Sequence, residues 1–347
     1  MRAAVLTEVG TMVVQDVPEP NCGPGDVVLS VEVCTICGTD LKFFAYGHRK
    51  MKPPLILGHE IAGTVLEVGT EIEAYRVGDR LVMSPSGTGC GECFYCRSGR
   101  DELCGEYRGL SGRGGFAERV QIPAEMVQRG NLHHIPDELG AHAAALTEPL
   151  ACLINSHDHL DLRPDESVVI LGAGPIGIMH AMLCRAAGSN PLFITDLDEV
   201  RLTSVSADLG AITINSRSED VLDVVKKATD GLGAATVIVC APAPVAQQQA
   251  IQLVRKTGTV CFFAGLPVGT KEVAIDTNRI HYDHIHVFGT SNCNVDHSRR
   301  ALELIVDGVI DANAIITHTF SLEQTVEAFA FAREQSGLKV AITPTGS

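Results

Sequence analysis

The sequence predicts an α/β protein of two domains, in which a doubly wound parallel sheet is inserted into a smaller, β-rich body. The chain has 347 residues, 45% of them hydrophobic, which exceeds one ordinary globular domain and suffices for two cores. From about residue 165 to about residue 285, six apolar strand patterns alternate with helical stretches, as in an open parallel sheet. Residues 1–35 instead alternate short apolar runs with Pro and Gly, which is typical of β-hairpins.

The first part of the chain continues as short strands joined by turns. After the apolar runs AAVL, MVVQDV and VVLSVEV come CTICGTDL, a polar loop GHRKMKPP, and LILGHEIAGTVLEVG, where a GHE turn precedes a strand pattern. The stretch VGDRLVMSPS predicts another strand and leads into a cysteine-dense loop at 87–104. The segment PDELGAHAAALTEPLACLINSH then predicts a helix that Glu148 heads.

The insert begins with VVILGAGPIG, where a buried strand runs directly into a G-x-G-x-x-G turn. Apolar residues at helical spacing follow the turn as far as Gly188, and a second strand at 192–195 delivers Asp196. Strand, glycine turn, helix, strand and acid stand in the order that a dinucleotide site requires. The sequence therefore predicts a dinucleotide-binding domain.

Each residue of this motif has a physical task. Gly172 permits the tight turn, Gly174 lets the backbone approach a pyrophosphate, and Gly177 lets helix and strand pack closely. Asp196 is placed to accept hydrogen bonds from the adenosine ribose hydroxyls. A carboxylate there repels a 2'-phosphate, so the motif favours NAD over NADP.

The tail, 296–347, lacks the strand–helix rhythm of the insert. It contains two helical patterns, SRRALELIVDG and LEQTVEAFAFARE, and a closing strand KVAI. We therefore assign the tail to the first domain. The predicted boundaries are 1–156 for the β-rich domain, 157–290 for the dinucleotide domain and 291–347 for the return to the first.

Composition limits the partners and the compartment. A net charge of -15 argues against nucleic acid or an anionic membrane, because both require clustered positive potential. No stretch reaches the roughly 18–20 apolar residues of a membrane span, and we expect no export signal and a cytoplasmic protein. Twelve cysteines in such a chain favour metal ligation over disulfides.

The cysteine-dense loop has the spacing of a metal site. Four thiolates from C-x2-C-x2-C-x7-C, namely Cys90, Cys93, Cys96 and Cys104, can close a tetrahedron around Zn2+. A site filled by four sulfur atoms has no position for substrate, so we expect a structural zinc. Spacing alone does not choose the metal, and an iron–sulfur cluster stays open.

A second, dispersed set consists of Cys37, His59, Glu60 and Glu148. One thiolate, one imidazole and one or two carboxylates leave a coordination position for water or an alcohol oxygen, as a catalytic zinc requires. Spacing alone also allows these residues to be ordinary packed core residues.

Together, CGTD, GHE, the four-cysteine loop, EPLAC and GAGPIG resemble the zinc-dependent medium-chain alcohol dehydrogenase family, in particular its polyol and threonine dehydrogenase branch. The resemblance implies a GroES-like catalytic domain, a Rossmann domain, NAD and two zinc ions per chain, one catalytic and one structural. It also implies a homodimer or homotetramer, in which strands near Val287 and Phe288 pair across a two-fold axis.

The resemblance also assigns roles to single residues. Cys37, His59 and Glu60 would ligate the catalytic zinc, Glu148 would bind through the metal's water or exchange with Glu60, and Thr39 would start the proton relay. Arg201 would lie over the adenine. The predicted coenzyme-binding residues are Gly172, Gly174, Pro175, Ile176, Gly177, Asp196, Arg201, Leu266, Thr290 and Ser291.

Two departures from the family pattern concern the substrate. Lys42 stands where relatives of this branch have His, and it either hydrogen-bonds a substrate hydroxyl or carboxylate or points to solvent. Ser291 and Asn292 replace an Arg-Tyr pair of sorbitol dehydrogenases, which argues against sorbitol. The first hypothesis is a polyol, cyclitol or sugar-alcohol dehydrogenase acting on a small-molecule alcohol. The alternatives are an L-threonine-type amino-alcohol dehydrogenase, for which Lys42 or Arg49 would supply the cation, and a non-enzymatic zinc protein.

Overall fold

The computed structural model describes residues 1–48, 50–205, 207–267, 269–270, 272–334 and 337–344. The chain forms two compact units, one of Met1–Ala151 with Asn292–Ser347 and one of Cys152–Ser291. The first boundary therefore follows Ala151, inside a helix, whereas the boundary expected from the sequence follows residue 156. We refer to the two as the outer unit and the inserted unit.

Short strands dominate the N-terminal part of the outer unit. Its strands are β1 (Arg2–Glu8), β2 (Thr11–Asp16), β3 (Val27–Thr35), β4 (Leu55–Ile56), β5 (Glu60–Val68), β6 (Arg80–Met83), β7 (Gly87–Thr88), β8 (Arg108–Gly109), β9 (Arg119–Ile122) and β10 (Leu132–His134). Its helices are α1 (Gly38–Tyr46), α2 (Phe94–Arg97), α3 (Ala124–Gln128), α4 (Ala141–Ala145) and α5 (Thr147–His157), the last of which continues past the unit boundary.

Strands and helices alternate in the inserted unit, and the tail returns to the outer unit. The inserted unit contains β11 (Val168–Leu171), α6 (Pro175–Ala186), β12 (Leu192–Asp196), α7 (Glu199–Thr203), β13 (Ile212–Asn215), α8 (Val221–Ala228), β14 (Ala234–Val239), α9 (Pro244–Leu253), β15 (Val254–Phe262), α10 (Thr277–Tyr282) and β16 (His286–Gly289). The tail contains α11 (Val295–Val306), α12 (Ala312–Ile315), β17 (Ile316–Ser321), α13 (Thr325–Arg333) and β18 (Lys339–Thr343).

The inserted unit is a six-stranded parallel sheet in the order β13-β12-β11-β14-β15-β16. This order reverses direction between β11 and β14, and ligands of such sheets bind at that switch point, outside the carboxyl ends of the strands. All six strands were predicted, and the α/β fold class is confirmed. Val169, Phe193 and Ile251 belong to the core of this unit.

The main sheet of the outer unit has the order β10-β6-β5-β3-β18-β17, with β9 also paired to β3. The tail thus supplies two strands of this sheet, and β18 lies directly against β3. Leu29, Ile61 and Phe116 are fully buried in the core on which the sheet rests. The tail therefore completes the outer unit, as the absence of strand–helix rhythm indicated.

Among the elements that were not predicted, two lie next to or within the main sheet of the outer unit. Helix α1 begins right after Cys37, where the Asp40 carboxylate accepts the Cys37 N–H at 2.9 Å and so caps the helix. Strand β17 has mostly exposed residues and lacks the apolar alternation that marks a strand in sequence. Among the described residues, no helix has both the length and the apolar character needed to cross a bilayer.

Candidate functional site

The four cysteines of the 87–104 loop converge on one point. Cys93 Sγ lies 3.5 Å from Cys96 Sγ and 3.8 Å from Cys104 Sγ, and Cys90 Sγ lies 4.0 Å from Cys96 Sγ. Four sulfur atoms around a zinc ion at about 2.3 Å would be separated by about 3.8 Å, so the donor set fits tetrahedral Zn2+.

Backbone donors support this cluster. The Cys93 N–H lies 3.4 Å from Cys90 Sγ, and the Cys90 N–H lies 3.3 Å from Cys104 Sγ. Such N–H···S contacts compensate the negative charge of four thiolates around one divalent ion. The Arg129 guanidinium adds a contact from outside the loop, because its Nη2 donates to the Cys90 carbonyl at 3.1 Å.

The dispersed set is also assembled, at the ends of α1 and β5. Ligand atoms of Cys37, His59 and Glu60 all lie within 4.8 Å of one another. Cys37 is the residue before α1, and His59 and Glu60 follow a turn at Gly58, whose φ is +91°. A Cβ on Gly58 would lie 2.6 Å from Cys34 Sγ, so only glycine allows the turn that aims both side chains at Cys37.

Asp40 holds His59 in place. Its buried carboxylate lies 3.4 Å from His59 Nδ1 and accepts the Gly58 N–H at 3.1 Å. Burial alone would lower the pKa of His59, but Asp40 and Cys37 outweigh it and raise that pKa well above its usual value. With Nδ1 turned to a carboxylate, Nε2 is left for a metal, which is the usual arrangement of a ligating imidazole.

Sequence analysis missed the partners of Glu60. Lys339, the first residue of β18, reaches across β3, so that its Nζ lies 2.7 Å from Oε1 and 2.6 Å from Oε2 of Glu60. The Thr35 hydroxyl donates to the same carboxylate. Burial alone would lower the pKa of Lys339, but Glu60 and Cys37 outweigh it and raise that pKa. The only sequence signal was a lysine in the otherwise apolar strand KVAI.

Glu148 lies close to the same set from the start of α5. It is 6% exposed, and burial raises the pKa of its carboxyl group, with His59 opposing the shift and Glu60 adding to it. By geometry, however, the ligand atoms of Cys37, His59 and Glu60 form one group, whereas the Glu148 carboxylate lies within 4.8 Å of Cys293 Sγ in another. The structure therefore brings three of the four predicted members together, and a metal contact of Glu148 stays a prediction.

The two remaining candidates of this region lie on α1. Thr39 is exposed in the first turn of the helix, two residues from Cys37. Lys42 is also exposed on α1, which agrees with the solvent-facing alternative, and its contact with a substrate stays a prediction. Arg49, the other cation considered for a carboxylate substrate, lies outside the described residues.

In the inserted unit, the glycines of the turn divide into two kinds. A Cβ on Gly177 would lie 1.8 Å from the Gly172 carbonyl oxygen, so this glycine is required by packing of α6 on β11. A Cβ on Gly174 would meet only Arg201 Nη1, at 3.8 Å, which is ordinary contact. The chain itself therefore does not need a glycine at 174, whereas a pyrophosphate approaching the start of α6 would.

Asp196 ends β12 beside this turn. Its Oδ2 accepts the Ala173 N–H at 2.8 Å, and Arg201 Nη1 lies 3.9 Å from the same oxygen. Pro175 and Ile176 form the first turn of α6. The other predicted coenzyme residues lie in this unit as well: Leu266 and Thr290 are half-buried, and Ser291 is exposed at its end.

His157 and His180 form a pair in the inserted unit. His157 Nε2 lies 3.0 Å from His180 Nδ1, and the two rings stack with centroids 5.2 Å apart. Burial lowers the pKa of His157 to about 4, and that of His180 is also lowered well below its usual value. The pair is therefore neutral at pH 7 and suits packing better than proton transfer.

Comparisons with known proteins agree with this geometry. The family model described as alcohol dehydrogenase GroES-like domain matches residues 23–137, and that of the zinc-binding dehydrogenase matches 175–307. The sorbitol dehydrogenase of Halalkalibacterium halodurans is 31% identical, over 99% of each chain. An L-threonine 3-dehydrogenase from a Chelativorans species is 32% identical, over 93% of each. A crystal structure of a zinc-binding dehydrogenase from Sinorhizobium meliloti, bound to NADP, is 30% identical with a TM-score of 0.91, and covers 99% of each chain.

Proposed function

Because this chain belongs to the zinc-dependent medium-chain dehydrogenases, in their polyol and threonine branch, we propose that it oxidises a secondary alcohol of a polyol, cyclitol or sugar alcohol to a ketone. The coenzyme is NAD. The observation that carries the proposal is the set of Cys37, His59 and Glu60, whose ligand atoms lie within 4.8 Å of one another. Three protein ligands of this mixed chemistry leave room for an alcohol oxygen.

The residues around this set orient it and balance its charge. Asp40 fixes the His59 ring, and Lys339 with Thr35 fixes the Glu60 carboxylate. When bound, zinc lowers the pKa of an alcohol that coordinates it, and NAD+ accepts the hydride that the alcohol carbon loses. Glu148, with its raised pKa, is the nearby carboxylate that can exchange a proton or a metal contact.

Thr39 is the residue we assign to the departing proton. It lies in the first turn of α1, two residues after Cys37, and it is exposed. A hydroxyl both donates and accepts, so Thr39 can take the proton of the bound alcohol and pass another on to solvent or to a ribose hydroxyl. No other aliphatic hydroxyl of α1 is available, because the helix contains no second serine or threonine.

The test is a substrate panel with the zinc-loaded enzyme and NAD+, followed by NADH absorbance at 340 nm. We expect turnover of at least one vicinal polyol, and a loss of about 100-fold or more in Cys37→Ser. Cys22→Ser is the matched control, because Cys22 lies in a loop of the outer unit and belongs to neither cysteine set. Absence of turnover across the panel, with two zinc ions bound per chain, would overturn the proposal.

L-Threonine is the second candidate substrate, favoured by a relative of that activity that is 32% identical to this chain. The amino acid carries a carboxylate that needs a cation, and the exposed Lys42 on α1 is the described residue that offers one. If the enzyme turned over threonine faster than every polyol, and if Lys42→Gln slowed that reaction, threonine would replace a polyol as the first candidate substrate.

We further propose a cytoplasmic homo-oligomer, dimeric or tetrameric. Strand β16 forms one edge of the parallel sheet and pairs only with β15 among the described strands, so its other edge is open to a second copy. All twelve cysteines are free, which supports a reducing compartment. Light scattering after size-exclusion chromatography measures the oligomeric state, and a monomer would contradict the proposed oligomer.

A further inference from the structure

The carboxyl ends of β12 and β13 lie side by side in the inserted unit. The two strands are parallel with Asp196 opposite Asn215, and the Ser216 N–H donates to the Asp196 carbonyl at 2.9 Å. The turn that follows β13, with the sequence Ser216-Arg217-Ser218, therefore starts beside Asp196. This is the corner where the adenosine ribose of a dinucleotide is held.

The Asp196 carboxylate is largely occupied by the protein itself. Its Oδ1 accepts the N–H groups of Leu197 at 2.7 Å and Asp198 at 3.0 Å, and its Oδ2 accepts that of Ala173 at 2.8 Å. A carboxylate has about four acceptor sites, so one remains for the two ribose hydroxyls. Three N–H donors also offset its negative charge, which weakens the repulsion of a 2'-phosphate.

Two arginines reach this corner. Arg201 Nη1 lies 3.9 Å from Asp196 Oδ2, and its Nε is buried without a partner among the described residues. Arg217 Nε donates to the Leu197 carbonyl at 2.8 Å, which holds the exposed guanidinium at the strand end. Glu199 and Glu219 each accept a hydrogen bond from Asn215, and neither forms an ion pair with Arg217 in the described part of the chain.

We propose that Arg217 and Arg201 form a binding site for the 2'-phosphate of NADP, so that this chain binds NADP(H) as well as NAD(H). A guanidinium with free terminal nitrogens matches a phosphate by paired N–H···O bonds, and the Ser216 hydroxyl lies next in the chain. Asp196 and the nearby Glu199 act against the phosphate, so the site gives similar affinities for the two coenzymes rather than a preference for NADP. This inference rests on the proposed coenzyme site at the glycine turn.

The test compares 5'-AMP with 2',5'-ADP, which differ only by the 2'-phosphate, by calorimetric titration of the zinc-loaded enzyme without substrate. We expect the two dissociation constants to agree within about tenfold. Arg217→Gln should weaken binding of 2',5'-ADP by about tenfold or more and that of 5'-AMP by less than about threefold. The matched control is Arg163→Gln in the same unit, where an exposed arginine pairs with Asp161.

The outcomes separate this inference from the proposed function. If 5'-AMP binds while 2',5'-ADP does not, the 2'-phosphate site is wrong and the dehydrogenase assignment stands. If Arg217→Gln leaves the binding of 2',5'-ADP unchanged, or Arg163→Gln weakens it equally, the assigned residues are wrong. If neither nucleotide binds, the coenzyme site at the glycine turn fails, and with it both proposals.

Discussion

Replacing Lys339 by methionine should strongly destabilise the metal-free protein and only slightly the zinc-loaded one. Lys339 is 4% exposed, and its Nζ contacts both oxygens of the fully buried Glu60, at 2.7 and 2.6 Å. Removing one partner of a buried ion pair leaves the other charge unpaired, which costs about 3–5 kcal/mol. Zinc at Cys37, His59 and Glu60 supplies a replacement cation, so most of this cost should disappear when zinc is bound.

The structure sets the size of the effect. The outer unit, which contains the pair, has about 200 residues, and a domain of that size loses about 2–4 °C in Tm per kcal/mol. We therefore expect Lys339→Met to lower the Tm of the metal-free protein by about 6–20 °C, and that of the zinc-loaded protein by less than about 5 °C. Since the variant loses less stability with zinc than without it, its zinc affinity should rise, by about tenfold or more.

Differential scanning calorimetry measures the two Tm losses, one in the presence of a chelator and one with saturating zinc. Lys227→Met is the matched control, because Lys227 Nζ lies 2.8 Å from Asp223 at the surface, with 75% of the lysine side chain exposed. Solvent screens such an exposed pair, so it contributes little to stability and this variant should match the parent in both conditions. Equal Tm losses in Lys339→Met with and without zinc would refute the reasoning.

Three further predictions concern the metal loop, the glycine turn and the histidine pair. Cys93→Ser should lower the zinc content, measured by mass spectrometry, from about two to about one per chain, and two retained ions would contradict a closed four-cysteine site. Gly174→Ala should raise KM for NAD+ by about tenfold without changing thermal stability. Gly177→Ala should instead destabilise the inserted unit, since its methyl would lie 1.8 Å from the Gly172 oxygen. If the two substitutions had similar effects on KM and on thermal stability, the different roles assigned to the two glycines would be refuted. Burial lowers the pKa of His157 from its ordinary value of 6.5 to about 4 in the folded chain. Between these two pH values the unfolded chain binds a proton that the folded chain does not. The free energy of unfolding therefore falls as pH decreases, by about 2 kcal/mol at pH 5. His157→Gln should flatten this dependence in urea titrations at pH 7 and pH 5, and an unchanged slope would exclude His157 as its source.

Features encoded locally could be predicted from the sequence, and those that depend on distant pairing could not. The glycine turn, its Asp196 and the four-cysteine loop each lie within a short stretch, where spacing and residue type suffice. Asp40 was visible in the CGTD motif but had no assigned role, because its contact with His59 depends on the turn at Gly58. Lys339 stood out only as a lysine in an apolar strand, which does not identify its partner, since Glu60 lies 279 residues earlier in the chain.

The same long-range contact explains why the candidate metal site depends on both ends of the outer unit. Cys37, His59 and Glu60 all precede the inserted unit, yet the cation that balances Glu60 arrives with the last strand, β18, which pairs with β3. Until the tail has joined the sheet, Glu60 can be buried only at the cost of an unpaired charge, by taking up a proton, or by binding zinc. Closure of the sheet by the tail and loading of the metal are therefore alternative ways to satisfy one carboxylate, and each reduces what the other contributes to the stability of this unit.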